Sequence, residues 1–556
     1  MVLAARLRVF CFVLGLATLP PSFGQPAPRL PQDAAPAPQP AAPELGLLID
    51  RERFAEQVPA GAQAVTLRLT GIDLSGNTRL PTSQFEPLWA GLLGRDITLA
   101  TVFDLAARIS AAYREAGYVL SQALVPQQDI NPAGGRVRIR VAEGFVSLIT
   151  VQDSVPGAQR IRRMLDPVRS ERPLTLATLE RCLLLVGDLP GLRTQALLRA
   201  GRAANAAELE LVVERDTQAF SLALHNRTAA SVGPLRLEAS AEQRGLLGDF
   251  DRHALRWVGA GNDRLNLIAY QGDAPLGVAG ASLVWSASAS RSRPRAGALF
   301  QFDARSRNAS LGLGYPVVRS RQANLSLRTA LTAYNGASEI ADGLPVSKEQ
   351  IRAVRLGLNA DFSDALAGIN LLEIELARGL SGLGASRPGD ALLARAGSDP
   401  QFTKATLYAA RLQSLGGEWA LLAALTTQHA AVPLTSSEQF GLGGDAFLRA
   451  YDPSELLGDS GAAAKIELRY NTVVNTFVGG VGATVYGFYD AGSVTLLGAA
   501  GTASSRQSAA AAGLGLRWSG SHGLRGYLEL AKPINRATSR HGDERTRAFA
   551  GVGIDF

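Results

Sequence analysis

Between Gln218 and Phe556, segments of about ten residues recur in which apolar and polar residues alternate at period two. In VRLGLNADF, Val354, Leu356, Leu358, Ala360 and Phe362 share one face, and Arg355, Gly357, Asn359 and Asp361 share the other, because successive side chains of an extended strand point to opposite sides. RAFAGVGIDF repeats the pattern, with Ala548, Ala550, Val552, Ile554 and Phe556 opposite Phe549, Gly551, Gly553 and Asp555. LRLEASAEQ, HALRWVGAG, RLNLIAYQG, ALFQFDARS, INLLEIELARG, AKIELRYN and RGYLELAKP have the same texture, and turns rich in Gly, Asn, Asp, Ser or Pro follow such segments. Strands of this kind predict a transmembrane antiparallel β-barrel, with lipid against one face and a polar lumen against the other. A soluble β-sandwich shares the alternation, but the long uninterrupted series of strands and the terminal aromatic Phe556 favour the barrel. At roughly 20 to 22 residues per strand and connection, residues 217–556 hold about 16 strands.

Upstream the period changes. Residues 65–145 read as strand, helix, helix, strand, strand: VTLRLTGIDL, FEPLWAGLLG, LATVFDLAARISAAYREAGY, YVLSQALVP and GGRVRIRVAEG. Residues 146–216 give the same order again, through VSLITVQD, QRIRRMLDPV, LATLERCLLLVGDL, LRTQALLRAG and AELELVVERD. A five-element order repeated at roughly 75 residues is the mark of an internal duplication. A three-stranded sheet with helices on one face leaves an edge able to pair with an extended segment of another chain.

The amino terminus sets the compartment. Arg6 and Arg8 precede the apolar run VFCFVLGLATL, and Ser22 and Gly24 follow it, the layout of a secretory signal peptide over residues 1–24. The run is shorter than the ~20 apolar residues of a membrane-spanning helix. Residues 25–64 begin as a Pro/Ala-rich linker that packs no core. Within it, residues 44–57 (ELGLLIDRERFAEQ) read either as one short helix able to sit in the pore or as more linker. Cys11 leaves with the signal and only Cys182 remains, so the mature chain forms no internal disulfide.

The net charge of +7 changes little: only four of the 56 basic residues are lysines, and the arginines are dispersed. Without a basic stripe, nucleic acid is not an expected partner. GDAFLRAYDPSELLGDSG (444–461) raises a sharper question, because Gly458-Asp459-Ser460-Gly461 matches the surroundings of a serine-protease nucleophile. His225, His253, His429, His522 and His541 stand in no matching context, and the strand AAAKIELRYN follows directly. No zinc-protease helix motif, cysteine cluster or phosphate-binding loop is present, so the sequence predicts no enzyme, no cofactor and no metal.

The motifs carry a resemblance. Tyr113-Arg114-Glu115-Ala116-Gly117-Tyr118, Val141-Ala142-Glu143-Gly144, Leu183-Leu184-Leu185 and Asp188-Leu189-Pro190-Gly191 resemble two POTRA domains, 65–145 and 146–216. With FLRAY, GDSG and GFYDAGSV ahead of the carboxyl-terminal strands, the chain is similar to the two-partner secretion transporters, or haemolysin activation and secretion proteins, of the BamA-like superfamily. The resemblance implies a loop near 441–461 folded into the barrel, its tip arginine Arg449 paired with Asp490 on the wall. It marks Phe447, Tyr451, Gly458, Asp459 and Gly461 as loop motif, Gly487, Phe488 and Gly492 as strand motif, and Phe556 as an assembly signal. Ala450 departs from the family's usual glycine. The implied partners are an unfolded secreted exoprotein of adhesin or haemolysin type, outer-membrane lipid, and the barrel assembly machinery during biogenesis. An assembly factor of the same superfamily and a passive porin are the alternatives.

Overall fold

The computed structural model describes residues 46–49, 58–152, 155–202, 205–229, 231–261, 263–296, 300–340, 343–476, 479–498, 502–539 and 541–556. The predicted signal peptide and the linker up to residue 45 lie outside the described residues, as do residues 50–57. The chain divides into two units, one within 41–216 and one comprising 217–556.

In the first unit, β1 (Gly46–Ile49) precedes β2 (Thr66–Ser75), α1 (Glu86–Ala90), β3 (Asp96–Thr98), α2 (Leu99–Glu115), β4 (Gln122–Leu124) and β5 (Gly135–Ala142). One sheet has the order β3-β2-β5-β4. The sequence GRVRIRVA explains β5: Val137, Ile139 and Val141 are buried while the intervening arginines are exposed. On α2, Val102, Leu105, Ala106, Ile109 and Tyr113 form one buried stripe at helical spacing, and the Thr98 side chain accepts the Thr101 amide to cap its start. Gly117, at φ +90°, turns the chain off the helix end, where a residue with a Cβ is strained.

Tyr113 is fully buried, stacked 6.1 Å from Phe85, and its hydroxyl donates to Glu143 at 3.0 Å. The Glu143 carboxylate also accepts from the Thr78 amide (2.7 Å), the Thr78 hydroxyl (2.5 Å) and the Arg79 amide (2.9 Å). Burial pushes this carboxyl upward, but the hydrogen bonds from Thr78, Arg79 and Tyr113 outweigh it and hold it below its ordinary value. The stability it contributes is therefore complete above the unfolded value of about 4.3 and is lost as pH falls through the lower folded value. In full-length protein, Glu143→Gln is expected to speed hydrogen exchange across Thr66–Ser75 and Gly135–Ala142 at pH 7. Wild type should approach the variant on acidification below about pH 4.

The remainder of this unit is β6 (Phe145–Val151), α3 (Ala158–Met164), α4 (Asp166–Ser170), α5 (Leu176–Gly187), β7 (Leu192–Ala200) and β8 (Ala206–Arg215), with sheet order β1-β7-β8-β6. QRIRRMLDPV forms two short helices rather than one, because Pro167 falls in the first turn of α4. Within 44–57, left open between a short helix and more linker, residues 46–49 are neither: they are a strand, paired in parallel from Gly46↔Gln195 to Ile49↔Leu198. The open edge of β7 offers unpaired backbone groups, and these residues satisfy them.

The second unit is a closed barrel of sixteen antiparallel strands, each bonded to the next in sequence. The last strand, Arg547–Asp555, pairs with the first, Gln218–His225, from Gly551↔His225 to Asp555↔Ser221. Reciprocal amide bonds between Phe220 and Phe556 complete this seam, leaving Phe556 on the outer face at 73 % exposure. The face assignment follows the alternation: Leu311, Leu313 and Leu356 are exposed, while Phe549 is buried opposite them. An even strand number places both ends of the barrel on one side and puts the connection 431–459 on the other.

Candidate functional site

The connection 431–459 links strands Trp419–Ala430 and Ser460–Thr476 and folds inward instead of extending away from the barrel. A small hairpin, Phe440–Leu442 with Leu456–Gly458, stiffens its base. Near its tip, Phe447, Leu448, Ala450 and Tyr451 are buried in one apolar cluster against Ala463, Val494, Ala509, Ala511 and Ala531. Alanines on the facing strands leave the space into which these larger side chains pack. The glycines serve the same fit. A Cβ on Gly461 meets the Phe440 ring at 2.5 Å, one on Gly458 meets Val494 at 2.8 Å, and one on Gly492 meets Leu442 and Ala463 at 2.8 Å.

Arg449 occupies the tip with 2 % exposure. Its Nε and Nη2 donate to the two Asp490 oxygens at 2.9 Å each, and its own amide donates to Asp490 at 3.1 Å. Nη1 donates to Glu467 at 2.5 Å and lies 3.6 Å from Glu529. The guanidinium stacks 3.5 Å from the Phe488 ring centre. This two-pronged, stacked geometry suits arginine and no other cation. Asp490, at 0 % exposure, receives its hydrogen bonds from Arg449 among the described residues.

The wall closes around this pair. Arg469 and Arg517 each donate to Glu467 at 2.7 Å. Tyr486 donates to Glu529 at 2.8 Å, and Arg227 also binds Glu529. Arg227 reaches the Arg449 carbonyl at 2.9 Å, Lys465 the Ala446 carbonyl at 3.0 Å, and Arg547 the Ala450 carbonyl at 2.8 Å. Tyr451 donates to the Arg536 carbonyl at 2.8 Å. Ala450 has no positive φ; the left-handed residue of the tip is Leu448, at φ 58°. An alanine therefore fits the turn without the conformational freedom of glycine.

Gly458-Asp459-Ser460-Gly461 is a junction. The Ser460 hydroxyl bonds the Ala430 amide and carbonyl. Asp459, fully buried, accepts from the Leu434 amide (2.8 Å), the Leu497 amide (2.7 Å) and Arg395 (2.6 Å), tying together connections 380–402, 431–459 and 497–504. Gly487 lies against Leu514 on the neighbouring strand, where an added Cβ meets it at 3.2 Å. Among the described residues no cluster of His, Cys, Asp or Glu has the form of a metal site.

The sequence reading missed Glu467, Glu529, Arg517, Arg227 and Arg395. A signal existed for part of this network: Lys465, Glu467 and Arg469 alternate with Ile466, Leu468 and Tyr470, which places three charges on the luminal face of one strand.

Residues 212–518 match the family model of the haemolysin secretion/activation protein ShlB/FhaC/HecB, and residues 67–144 match the ShlB-type POTRA domain. The chain belongs to this family. It is 23 % identical over 445 residues to the heme/hemopexin transporter protein HuxB of Haemophilus influenzae, covering 78 % of this chain and 77 % of that protein. It is 26 % identical over 428 residues to the outer membrane transporter CdiB of Dickeya dadantii, covering 73 % of each. The solved structure of CdiB from Escherichia coli shares the fold, with a TM-score of 0.70 at 18 % identity over 90 % of this chain and 93 % of that one. BamA from Haemophilus ducreyi is more distant, at a TM-score of 0.51 and 14 % identity over 88 % and 99 % of the two chains. As a family member, the chain is an outer-membrane exoprotein transporter of the two-partner secretion type, with a periplasmic POTRA region. It is not an enzyme, and transport proceeds without nucleotide hydrolysis. The connection 431–459 is then on the cell-surface side.

Proposed function

We propose that this transporter exports a large adhesin or haemolysin, captured unfolded by two POTRA units, residues 65–145 and 146–216, and threaded through the barrel when the 431–459 connection withdraws. One observation carries the reading: the lumen is occupied by a loop whose tip is held by reversible contacts, the ionic and hydrogen bonds around Arg449 and the apolar packing of Phe447, Leu448, Ala450 and Tyr451. Such a clamp seals the barrel between transport events and is undone without breaking a covalent bond. The second unit is supported by its β6-β8-β7 core, in which one parallel and one antiparallel pairing match the β2-β5-β4 core of 67–144. The β7 edge already accepts an extended strand in parallel pairing, the mode by which an unfolded passenger adds to a sheet. Outward bias comes from the passenger's binding and from its folding outside the cell.

The test is secretion of a large exoprotein, taken from a neighbouring gene where one is found, in cells carrying the intact transporter or one lacking residues 65–216. Export is expected to fall to background in the deletion while the barrel persists in the outer membrane. Undiminished export would remove the capture step, and simultaneous loss of unrelated barrels would point to membrane-protein assembly instead.

A further inference from the structure

The outer wall carries a cationic patch that the transport reading does not use. Strand Phe300–Arg319 shows where it lies. Ala309, Leu311, Leu313, Tyr315 and Val317 are exposed on the outer face, and Arg305 and Arg307 continue the same row toward the cell-surface end. Tyr315 and Arg305 are ten residues apart. At about 3.4 Å per residue and a tilt of about 40°, this is a height of about 26 Å, close to the ~25 Å apolar band of such barrels. Tyr315 therefore marks the periplasmic interface, and Arg305 stands at the level of the outer-leaflet headgroups.

The charge extends sideways along the ladder. Arg305 is the register partner of Arg291, and on its other side Ala337 leads to Lys348. Asp303 accepts from Arg291 at 2.9 Å and from Arg293 and Arg305 at 3.3 Å each. One carboxylate holds three guanidiniums in place without neutralising them. Asp263 and Glu339 offer further partial compensation, at 3.2 Å from Arg293 and 3.9 Å from Arg305. Arg307 and Lys348 are exposed and have no acidic partner among the described residues. Five cations thus face three carboxylates on a surface continuous with the lipid-facing row.

We infer that this patch binds the phosphate groups of the anionic glycolipid in the outer leaflet, with Arg291, Arg305, Arg307 and Lys348 as the contacting residues. The headgroup level selects a lipid over a soluble ligand, since the apolar row beneath the cations receives the acyl chains of the same molecule. Guanidinium forks supply two-point contacts to phosphate oxygens, and Asp303 orients them before the lipid arrives.

The test uses full-length protein in detergent, with binding of bis-phosphorylated lipid A followed by native mass spectrometry. Lipid A stripped of both phosphates and phosphatidylglycerol are the comparison probes. Wild type is expected to prefer the phosphorylated glycolipid to the stripped form by more than about tenfold. The triple variant Arg291→Gln, Arg305→Gln, Lys348→Gln is expected to lose on the order of 100-fold in affinity while keeping the heat-modifiable mobility of a folded barrel. Equal binding of the stripped lipid, equal binding of phosphatidylglycerol, or undiminished binding by a folded triple variant would overturn the assignment. The first two comparisons need only wild-type protein, so they decide the matter even if the triple variant fails to fold.

Discussion

Arg449→Ala is expected to abolish most export while leaving the barrel assembled, because a passenger that displaces the loop needs it seated in one position first, and an unseated loop obstructs the lumen in many. The substitution strips Asp490 of three hydrogen bonds, two from the guanidinium and, once the tip shifts, one from the amide. Glu467 keeps Arg469 and Arg517, and Glu529 keeps Arg227 and Tyr486, so the uncompensated charge falls on Asp490. Removing one partner of a buried pair costs about 3 to 5 kcal/mol, enough to change the occupancy of the seated loop by roughly two to four orders of magnitude. A cavity beside Phe488 adds to the loss, because the ring no longer has a guanidinium stacked on its face. Secretion, outer-membrane abundance and heat modifiability are to be measured together. Full export from Arg449→Ala would mean that the clamp is only a packing contact.

Arg449→Lys separates charge from geometry. Lysine keeps the positive charge but is a point donor, unable to match both Asp490 oxygens and Glu467 in one plane. An intermediate export level is the expected result, and it identifies the fork rather than the charge as what seats the loop.

The barrel was legible in the sequence because one face meets lipid. Leu356 on that face is 55 % exposed, and opposite it Arg355 bonds Glu375 and Glu438 inside. Alternation therefore survives wherever the two environments differ. It fades in Ser505–Ser519, where SAAAAGLG carries small residues on both faces. There the luminal side receives the docked loop, so Ala509 and Ala511 are buried against it and polarity no longer marks the inside. The pairing of Arg449 with Asp490 came from resemblance to a family, since residues 41 positions apart carry no local signature. The strand at residues 46–49 was not legible for a different reason: GLLI has no periodicity of its own, and its strand form depends on β7, about 150 positions away. The contacts of Glu529 and Arg395 are likewise tertiary, and no short-range pattern announces them.

Asp459→Ala is expected to open the cell-surface mouth. Its carboxylate gathers the Leu434 and Leu497 amides and Arg395 on three separate connections, and it is completely buried. Without it, Arg395 retains only carbonyl partners at Leu434 and Leu497, and two amides lose their acceptor. Hydrogen bonds to a charged group contribute roughly 1.5 to 3 kcal/mol each, so the three connections should separate, and the loop that the Arg449 clamp holds below them should leave its seat more often. Planar-bilayer recordings are therefore expected to show more frequent open events for Asp459→Ala than for wild type. Asp459→Asn, which keeps one acceptor oxygen, should fall between them. Combining Asp459→Ala with Arg449→Ala distinguishes two barriers from one. If the mouth and the clamp close the path in series, the double variant conducts far more than either single variant, because each remaining barrier still limits flow alone. If the connections around Asp459 only brace the tip, Asp459→Ala adds nothing to Arg449→Ala, and the junction at residues 458–461 is a support for the clamp rather than a second gate.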